Sequence, residues 1–520
     1  MKKLISPLTI LFFVILIISL VIKVISVNGY NFPFTMDQGR DLTDIRQMIV
    51  TQTPRLVGPT TSINGVLLGP FWYYFNTIPF IVSGGNPAAI VYWQIFWFQL
   101  SCLFLFFILK KNSHTLAFFV TSLLLLSPVG FNTARYFWNA NSMPIFTILF
   151  FVSLLWSNSS KFKYSTLIVG LIAGLSMQIE AAFGVLFFPF LIIYYLFSKQ
   201  KVKNILWSGI GFVVTLLPQV LFELRHGFIM TKVFISEFTG KGEMLGEKIK
   251  FSEKLVQRSE HLIDIVRHTN HLPENLVFIF SAIATVTFVY LLLSKKINKS
   301  VKDLSIITII FVLFTFFFYL VFPQKLKIWY TLGFSVPIIF IDALFLDFLT
   351  RSKNTFIKIL PALFIAATLI LSLKAQNDYF KIMYQLSANN PSGMQNEIAA
   401  VDWVYKEASG QAFNLYSYLP SIYDYPYQHA FWWYGTQTYG YQPSDITYLP
   451  NQPEYIIDGN LAWTKKKTIG DNQLTFLIIE KDGELPMRAQ AWLGHFSKLC
   501  LVKQHTFPWK TEVRMLTKCN

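Results

Sequence analysis

Apolar residues run almost unbroken from Leu4 to Ile22, directly behind Met1-Lys2-Lys3. A signal peptide has a shorter apolar core and a small-residue cleavage site, and this segment has neither. It reads as an uncleaved anchor with its basic end in the cytoplasm. Spanning a bilayer as a helix takes about 20 residues. Further runs of about that length fall near 87–109, 114–131, 142–157, 164–179, 181–198, 204–222, 275–293, 304–322, 328–348 and 359–374. With the anchor they predict about eleven spans, the two near 142–179 being short. One more apolar stretch, Gly65 to Ser83, flips every later segment if it crosses. The positive-inside rule decides the matter. If 65–83 stays in the outer interface, the cytoplasmic loops carry Lys2, Lys3, Lys110, Lys111, Lys161, Lys163, Lys199, Lys201, Lys203, Lys295, Lys296, Lys299, Lys302, Arg351, Lys353 and Lys358. The one clear acid among them is Asp303. The crossing alternative puts nearly all of these bases outside.

The non-crossing parity sends residues 28–86, 132–141, 223–274 and 323–327, and the tail from about 375, to the outer side. The tail has a soluble composition. Helix-like (Asn396–Glu407) and strand-like (Leu474–Ile479) patterns alternate in it, predicting a small α/β extracytoplasmic domain over 375–520.

Composition agrees with the pattern: 53% of the 520 residues are hydrophobic and 14% charged, against about 25% charged in soluble domains. The net charge of +16 sits in short loop clusters, which is a topology signal and excludes a nucleic-acid-binding face. Cys102, Cys500 and Cys519 form no metal or redox motif. Cys500 and Cys519 pair if the C-terminal part is extracytoplasmic and stay free if it is not. No P-loop, dinucleotide fingerprint, zinc-protease helix or nucleophile elbow is present.

Candidate chemistry begins just after the anchor, in Phe34-Thr-Met-Asp37-Gln-Gly-Arg40-Asp41-Leu-Thr-Asp44-Ile-Arg46-Gln-Met48. At 100° per residue Asp37, Arg40, Asp41 and Asp44 share one helical face, and Leu42, Ile45 and Ile49 another. That predicts an amphipathic helix on the outer membrane surface. Its charges are either a substrate-facing group or a solvated face of ion pairs. Elsewhere on the outer side stand Arg135, Trp138 and Asn139, then Gln178 and Glu180 between two apolar runs. Polar groups at that depth are costly and usually line a cavity. Glu223, Arg225 and His226 end a span. Lys325 and Lys327, followed by Tyr330, run against the positive-inside trend. The aromatic stretch Tyr416–Tyr441 suits sugar stacking or packing against the membrane part equally well.

The segment around Asp37 and Arg40 resembles the first periplasmic loop of GT-C glycosyltransferases, and of glycosyltransferase family 39 in particular, the protein O-mannosyltransferases and lipid A aminoarabinose transferases. Leu68-Gly69-Pro70-Phe71-Trp72-Tyr73-Tyr74 resembles that family's K/H-P-P-L-x-Y-W segment without its basic residue. Gly84-Gly85-Asn86-Pro87 resembles its F-G-x-N turn. Ala134-Arg135 and Met143-Pro144 resemble its A-R-x-x-x-x-D-M-P, but without the carboxylate and with two extra residues. The likeness covers roughly residues 1–350. It implies an α-helical polytopic GT-C-like protein, with interfacial helices in the first outer loop and a transferase domain over 1–374. It implies Asp37 as catalytic carboxylate, though Gln38 replaces the family's frequent Glu. It also implies a basic residue followed by Tyr, here Lys325, Lys327 and Tyr330, on the lipid phosphate.

These readings predict an integral cell-membrane glycosyltransferase. It moves a sugar, with inversion, from a polyprenyl-phosphate donor to an extracytoplasmic acceptor, whether protein, lipid or envelope glycan. Asp37 is the expected base, oriented by Arg40 and Asp41, with Gln178 and Glu180 on the acceptor side. Lys325, Lys327, Tyr330, Arg135 and Arg225 are the expected phosphate contacts, and Glu223, His226, Trp138 and Asn139 the sugar contacts. No resident metal or other cofactor is assigned, and a divalent ion is left open. A multi-pass lipid or glycan transporter or flippase, or a non-catalytic envelope assembly protein, is the alternative.

Overall fold

The structure is a computed structural model, and it describes residues 6–239, 250–293, 299–322, 326–386, 392–450 and 474–519. In chain order the helices are α1 (Pro7–Val27), α2 (Met36–Val50), α3 (Phe71–Ser83), α4 (Pro87–Lys110), α5 (His114–Leu126), α6 (Pro128–Arg135), α7 (Met143–Ser159), α8 (Ser165–Ile179), α9 (Ala181–Gly184) and α10 (Phe187–Leu196). They continue with α11 (Lys201–Arg225), α12 (Ile229–Phe238), α13 (Phe251–Arg267), α14 (Glu274–Leu293), α15 (Lys299–Val321), α16 (Ser335–Leu349) and α17 (Thr355–Leu386). Among the described residues eight helices are long and apolar enough to cross a membrane, and nine if α5 and α6, bent by 50°, count as one. Two shorter apolar stretches, Ser165–Ile179 and Ala181–Leu196, fall where two further spans are expected. The chain is an α-helical polytopic membrane protein. Helix α17 runs 32 residues, past the end expected at 374, because the polar residues that follow include no helix breaker. Helix α3 has 13 residues, about 20 Å at 1.5 Å per residue, too short to cross the hydrocarbon core.

The chain clusters into two compact units. One comprises Met1–Val24, Arg55–Trp72 and Gln94–Gln376, and the other Ile25–Pro54, Tyr73–Trp93 and Asn377–Asn520. In the first, α8 and α11 pack backbone to backbone. A Cβ added at Gly170 or Gly211 would strike the Ser208 or Leu167 carbonyl of the facing helix. Small residues four apart bring membrane helices this close. The α5–α6 bend comes from Ser127-Pro128: Pro128 opens α6, and the Ser127 hydroxyl accepts from the Gly130 amide at 3.0 Å. The bend frees the Leu125 carbonyl, which accepts from Ser19 Oγ at 2.9 Å and Lys23 Nζ at 3.2 Å. Lys23 is fully buried, with Phe98 and Phe131 rings each 4.7 Å from its Nζ. A buried cation in a span is thereby held by hydroxyl, carbonyl and ring faces.

The second unit contains a mixed sheet of five strands, β1 (Phe413–Tyr418), β2 (Asp445–Thr447), β3 (Leu474–Ile479), β4 (Leu499–Thr506) and β5 (Glu512–Lys518), in the order β2-β1-β3-β5-β4. Strand β1 pairs parallel with β2 and β3, and β5 antiparallel with β3 and β4. Every residue of β3 is buried, as expected of a central strand. Helices α18 (Met394–Ala408), α19 (Tyr425–Ala430), α20 (Thr436–Tyr439) and α21 (Pro486–Leu493) complete this unit. A disulfide joins Cys500 to Cys519, pinning the β4–β5 hairpin.

Candidate active site

Helix α2 starts at a capping box. Gln38 Oε1 accepts from the Thr35 amide at 2.8 Å and from its hydroxyl at 2.6 Å. The residue that stands where the resembled family often has Glu is therefore buried and occupied in starting the helix. Beyond it Asp37, Arg40 and Asp41 meet as the 100° spacing predicts. Arg40 reaches Asp37 Oδ1 at 2.9 Å and Asp41 Oδ1 at 2.7 Å. Their side chains are 28% (Asp37), 12% (Arg40) and 2% (Asp41) exposed, so Asp37 alone of the three keeps a substantial open face. Burial disfavours the Arg40 charge, but Asp41, Tyr73 and Asp37 outweigh it and hold the guanidinium above its ordinary range. Asp44 Oδ2 accepts from the Tyr73 hydroxyl at 2.7 Å. Burial, then Asp41 and Asp44, pushes that phenol well up, so it stays a donor.

Of the two readings its charges allowed, helix α2 is not the solvated face of ion pairs. Eight of its residues, Asp41 and Arg46 among them, are buried. It lies against α19 so closely that a Cβ on Gly39 would come within 2.6 Å of the Pro426 nitrogen. The aromatic segment supplies the rest of this packing. Arg46 stands 4.7 Å over the Trp432 ring, Trp432 stacks on Phe80 at 5.9 Å, and His429 Nε2 donates to the Gly85 carbonyl at 2.9 Å. Burial, then Arg46, lowers the His429 pKa to about 3, leaving a neutral ring. Tyr416 and Tyr418 go instead into the sheet core with Leu477, Trp492 and Phe496.

In the other unit a second group forms around Tyr319, whose hydroxyl donates to the Ala182 carbonyl at 3.1 Å and the Tyr330 carbonyl at 3.0 Å. Glu180 is buried beside it and accepts from the Ala182 amide at 3.3 Å. Asn139 Nδ2 donates to the Ile179 carbonyl at 2.8 Å. Trp138 meets Trp329 edge-on at 5.7 Å, and Lys327 Nζ lies 5.0 Å from the Trp329 ring. The Tyr330 hydroxyl is hydrogen-bonded to Ser62. Five residues singled out in the sequence, Trp138, Asn139, Glu180, Lys327 and Tyr330, are thus brought together here.

The others make different contacts. Gln178 accepts from the Phe71 amide at 3.0 Å and donates to the Thr215 carbonyl at 2.5 Å, clamping the start of α3. Glu223 caps α12 through the Met230 and Thr231 amides at 3.0 and 2.8 Å. His226 Nδ1 is 2.8 Å from the Phe222 carbonyl, and Arg225 is exposed at the end of α11. Arg135 is buried, with its guanidinium 5.7 Å from the Phe131 ring. Lys325 lies outside the described residues. Among the described residues no group of three or more His, Cys, Asp or Glu is placed to hold a metal ion.

No protein-family model and no curated protein sequence matches the chain. Among solved structures it is similar to ArnT from Cupriavidus metallidurans bound to undecaprenyl phosphate. The TM-score is 0.57 at 12% identity, over 98% of this chain and 97% of that one. The fold is GT-C. Within this fold the structure adds residues that sequence reasoning passed over, chiefly on α13. Arg258 donates to the Tyr319 carbonyl at 3.1 Å, and His261 Nε2 shares a 2.6 Å hydrogen bond with the Thr331 hydroxyl. Burial lowers the His261 pKa. Gln257, Arg258, Glu260, His261, Asp264 and Arg267 line a cleft of about 710 Å³. The available signal was the spacing of Arg258 and His261, one helical turn apart in a long loop that otherwise turns Phe251 and Val256 outward.

Proposed function

We propose that this chain is a membrane glycosyltransferase that takes a sugar from a polyprenyl-phosphate carrier and passes it, with inversion, to an acceptor outside the cytoplasm. The observation that carries the reading is the Asp37–Arg40–Asp41 group: a partly open carboxylate fixed by a mostly buried guanidinium, within a fold shared end to end with a protein that binds undecaprenyl phosphate. An acceptor hydroxyl is a poor nucleophile, and a positioned carboxylate acting as general base is worth typically about 10²–10⁴-fold. Asp37 is that base, and Arg40 and Asp41 hold it. The leaving phosphate departs as an anion and needs cations. Arg258, Arg267 and Lys327 serve it, joined by Lys325, Arg135 and Arg225.

Loop charge supports an N-terminus in the cytoplasm. The Cys500–Cys519 disulfide supports an oxidising, extracytoplasmic setting for the C-terminal domain. In this reading residues 1–374 form the transferase and 375–520 the outer domain.

The test is Asp37→Asn in purified protein supplied with radiolabelled polyprenyl-phosphate sugars. Sugar release or transfer by the unaltered chain, and its loss by at least about a hundredfold in the variant, is the expected result. Equal turnover by the two proteins removes Asp37 as base. Lipid movement without sugar release by the unaltered chain would make it a flippase.

A further inference from the structure

A cavity of about 300 Å³ lies at the far end of α7 from the Tyr319 group. Trp138 and Asn139 precede the first turn of α7 and Asn158 lies in its last, so 17 helical residues separate the two places, about 25 Å along the axis. Two hydroxyls in the cavity wall act as acceptors. Asn158 Nδ2 donates to the Tyr194 hydroxyl at 2.8 Å, and Asn204 Nδ2 and the Gln200 amide donate to Ser198 Oγ at 3.0 and 3.3 Å. Each hydroxyl keeps its own proton to give. The Tyr195 hydroxyl, buried in the same wall, has Ser157 nearby but completes no hydrogen bond with any described residue. A buried donor left in that state is costly. Ile306 and Ile310 of α15 make the wall's aliphatic part.

The chain around the cavity is cationic. Ser198 and Asn204 both line it, and the turn between them carries Lys199, Lys201 and Lys203, all exposed. Lys203 Nζ donates to a neutral partner, Gln200 Oε1, at 3.3 Å. Lys201 and Lys203 stand in the first turn of α11, a helix of 25 residues with no acid there and no side-chain cap at Gln200. Cations at a helix N-terminus oppose its dipole, whereas an anion is favoured by the dipole and by the lysines together. Exposed Lys302 sits one turn before Ile306. The acid nearby is Asp303, close enough to Tyr194 to act on it, and the four lysines outnumber it.

We propose that this cavity holds the headgroup of an anionic phospholipid. The phosphodiester accepts from Tyr194, Tyr195 and Ser198 in the field of the lysines, and an acyl chain runs along Ile306 and Ile310. The positive-inside bias accounts for the lysines, but it does not account for hydroxyl donors gathered in a hollow beside them. A basic pocket between spanning helices is a place for such headgroups. A soluble phosphate is matched less well, because it leaves the isoleucines bare and gives no cover to Phe197 in the same wall, which is 82% exposed. Loop charge assigns this end of the helices to the cytoplasmic leaflet, so the site is separate from the transfer chemistry and its failure leaves that reading standing.

Photolabelling of the full-length protein tests it, in phosphatidylcholine nanodiscs doped with a photoreactive phosphatidylglycerol. Labelling of peptides that carry Phe197 and Ile306–Ile310 is compared with labelling of α14, whose outer face is equally apolar. The expected local excess is about tenfold for phosphatidylglycerol, none for photoreactive phosphatidylcholine, and no change with excess inorganic phosphate. Tyr194→Phe combined with Ser198→Ala removes two donors and no charge. It should lower the excess about tenfold, the worth of one or two hydrogen bonds, with labelling of α14 unchanged. Thermal unfolding reports that the variant is folded, and if it is not, Ser198→Ala alone, in the turn, is read the same way. Equal labelling by the two lipids overturns the proposal. So does an excess that survives loss of the hydroxyls, which would leave only the charge of the loops, or one that inorganic phosphate abolishes, which would make the cavity a site for free anions.

Discussion

Replacing Glu480 with Gln removes one of two carboxyl groups buried together in the C-terminal unit. Glu480 is 3% and Glu397 1% exposed, and the Tyr427 hydroxyl donates to Glu480 at 3.2 Å. Burial pushes the Glu480 pKa from 4.5 up to about 7, with the Tyr427 bond opposing it, and burial followed by Glu480 pushes Glu397 well up. A raised carboxyl stabilises the folded state fully below the unfolded pKa, and that stability is lost as pH rises through the folded one. A displacement of about 2.5 units is worth about 3 kcal/mol at 1.36 kcal/mol per unit. Between pH 4.5 and pH 8 the unaltered domain should lose that amount. Glu480→Gln keeps an acceptor for Tyr427 and should lose only the part that the still buried Glu397 contributes. Hydrogen exchange of the β3 amides, corrected for intrinsic rates, reads the difference as a fall in protection factor with pH that is about a hundredfold larger in the parent than in the variant, Glu397 contributing to both. Parallel pH dependence in the two proteins would refute the assignment of the strain to Glu480.

Two further outcomes follow from packing and cross-linking. Gly39→Val drives a branched side chain against the backbone of Tyr425 and Pro426. It should cost about 1–3 kcal/mol in thermal unfolding and lower turnover with it, whereas a valine at solvent-exposed Gly483, where nothing lies within 4 Å, should do neither. Reducing the Cys500–Cys519 bond, or the double replacement by Ser, opens a loop of sequence separation 19. It should lower the stability of the β4–β5 hairpin by about 3 kcal/mol, seen as faster exchange in β5 with the membrane helices unchanged.

How much of this was legible in the sequence depended on whether a signal was local. The face shared by Asp37, Arg40 and Asp41 follows from helical spacing alone, and β3 follows from an unbroken run of strand formers. The anchor read as ending at Ile22 continues to Val27, because Lys23 finds the Leu125 carbonyl about a hundred residues away. Arg258 offered only its spacing from His261, for the same reason: its partners are backbone carbonyls at 319 and 322, which no side-chain pattern reveals. Gln178 and Glu223 show the converse. A polar residue in an apolar stretch looks the same whether it meets a substrate or a backbone amide, and these two meet amides. Gln38 looked like a departure from a motif until its bonds to Thr35 gave it a task.

The helix bearing Asp37 clusters with the C-terminal portion and is seated on α19 through Gly39. Chimeras between this protein and others of its fold should therefore not be cut at the end of the last apolar helix. A graft that exchanges only the tail would separate the carboxylate from its seat. A workable exchange carries residues 25–54 and 73–93 along with it.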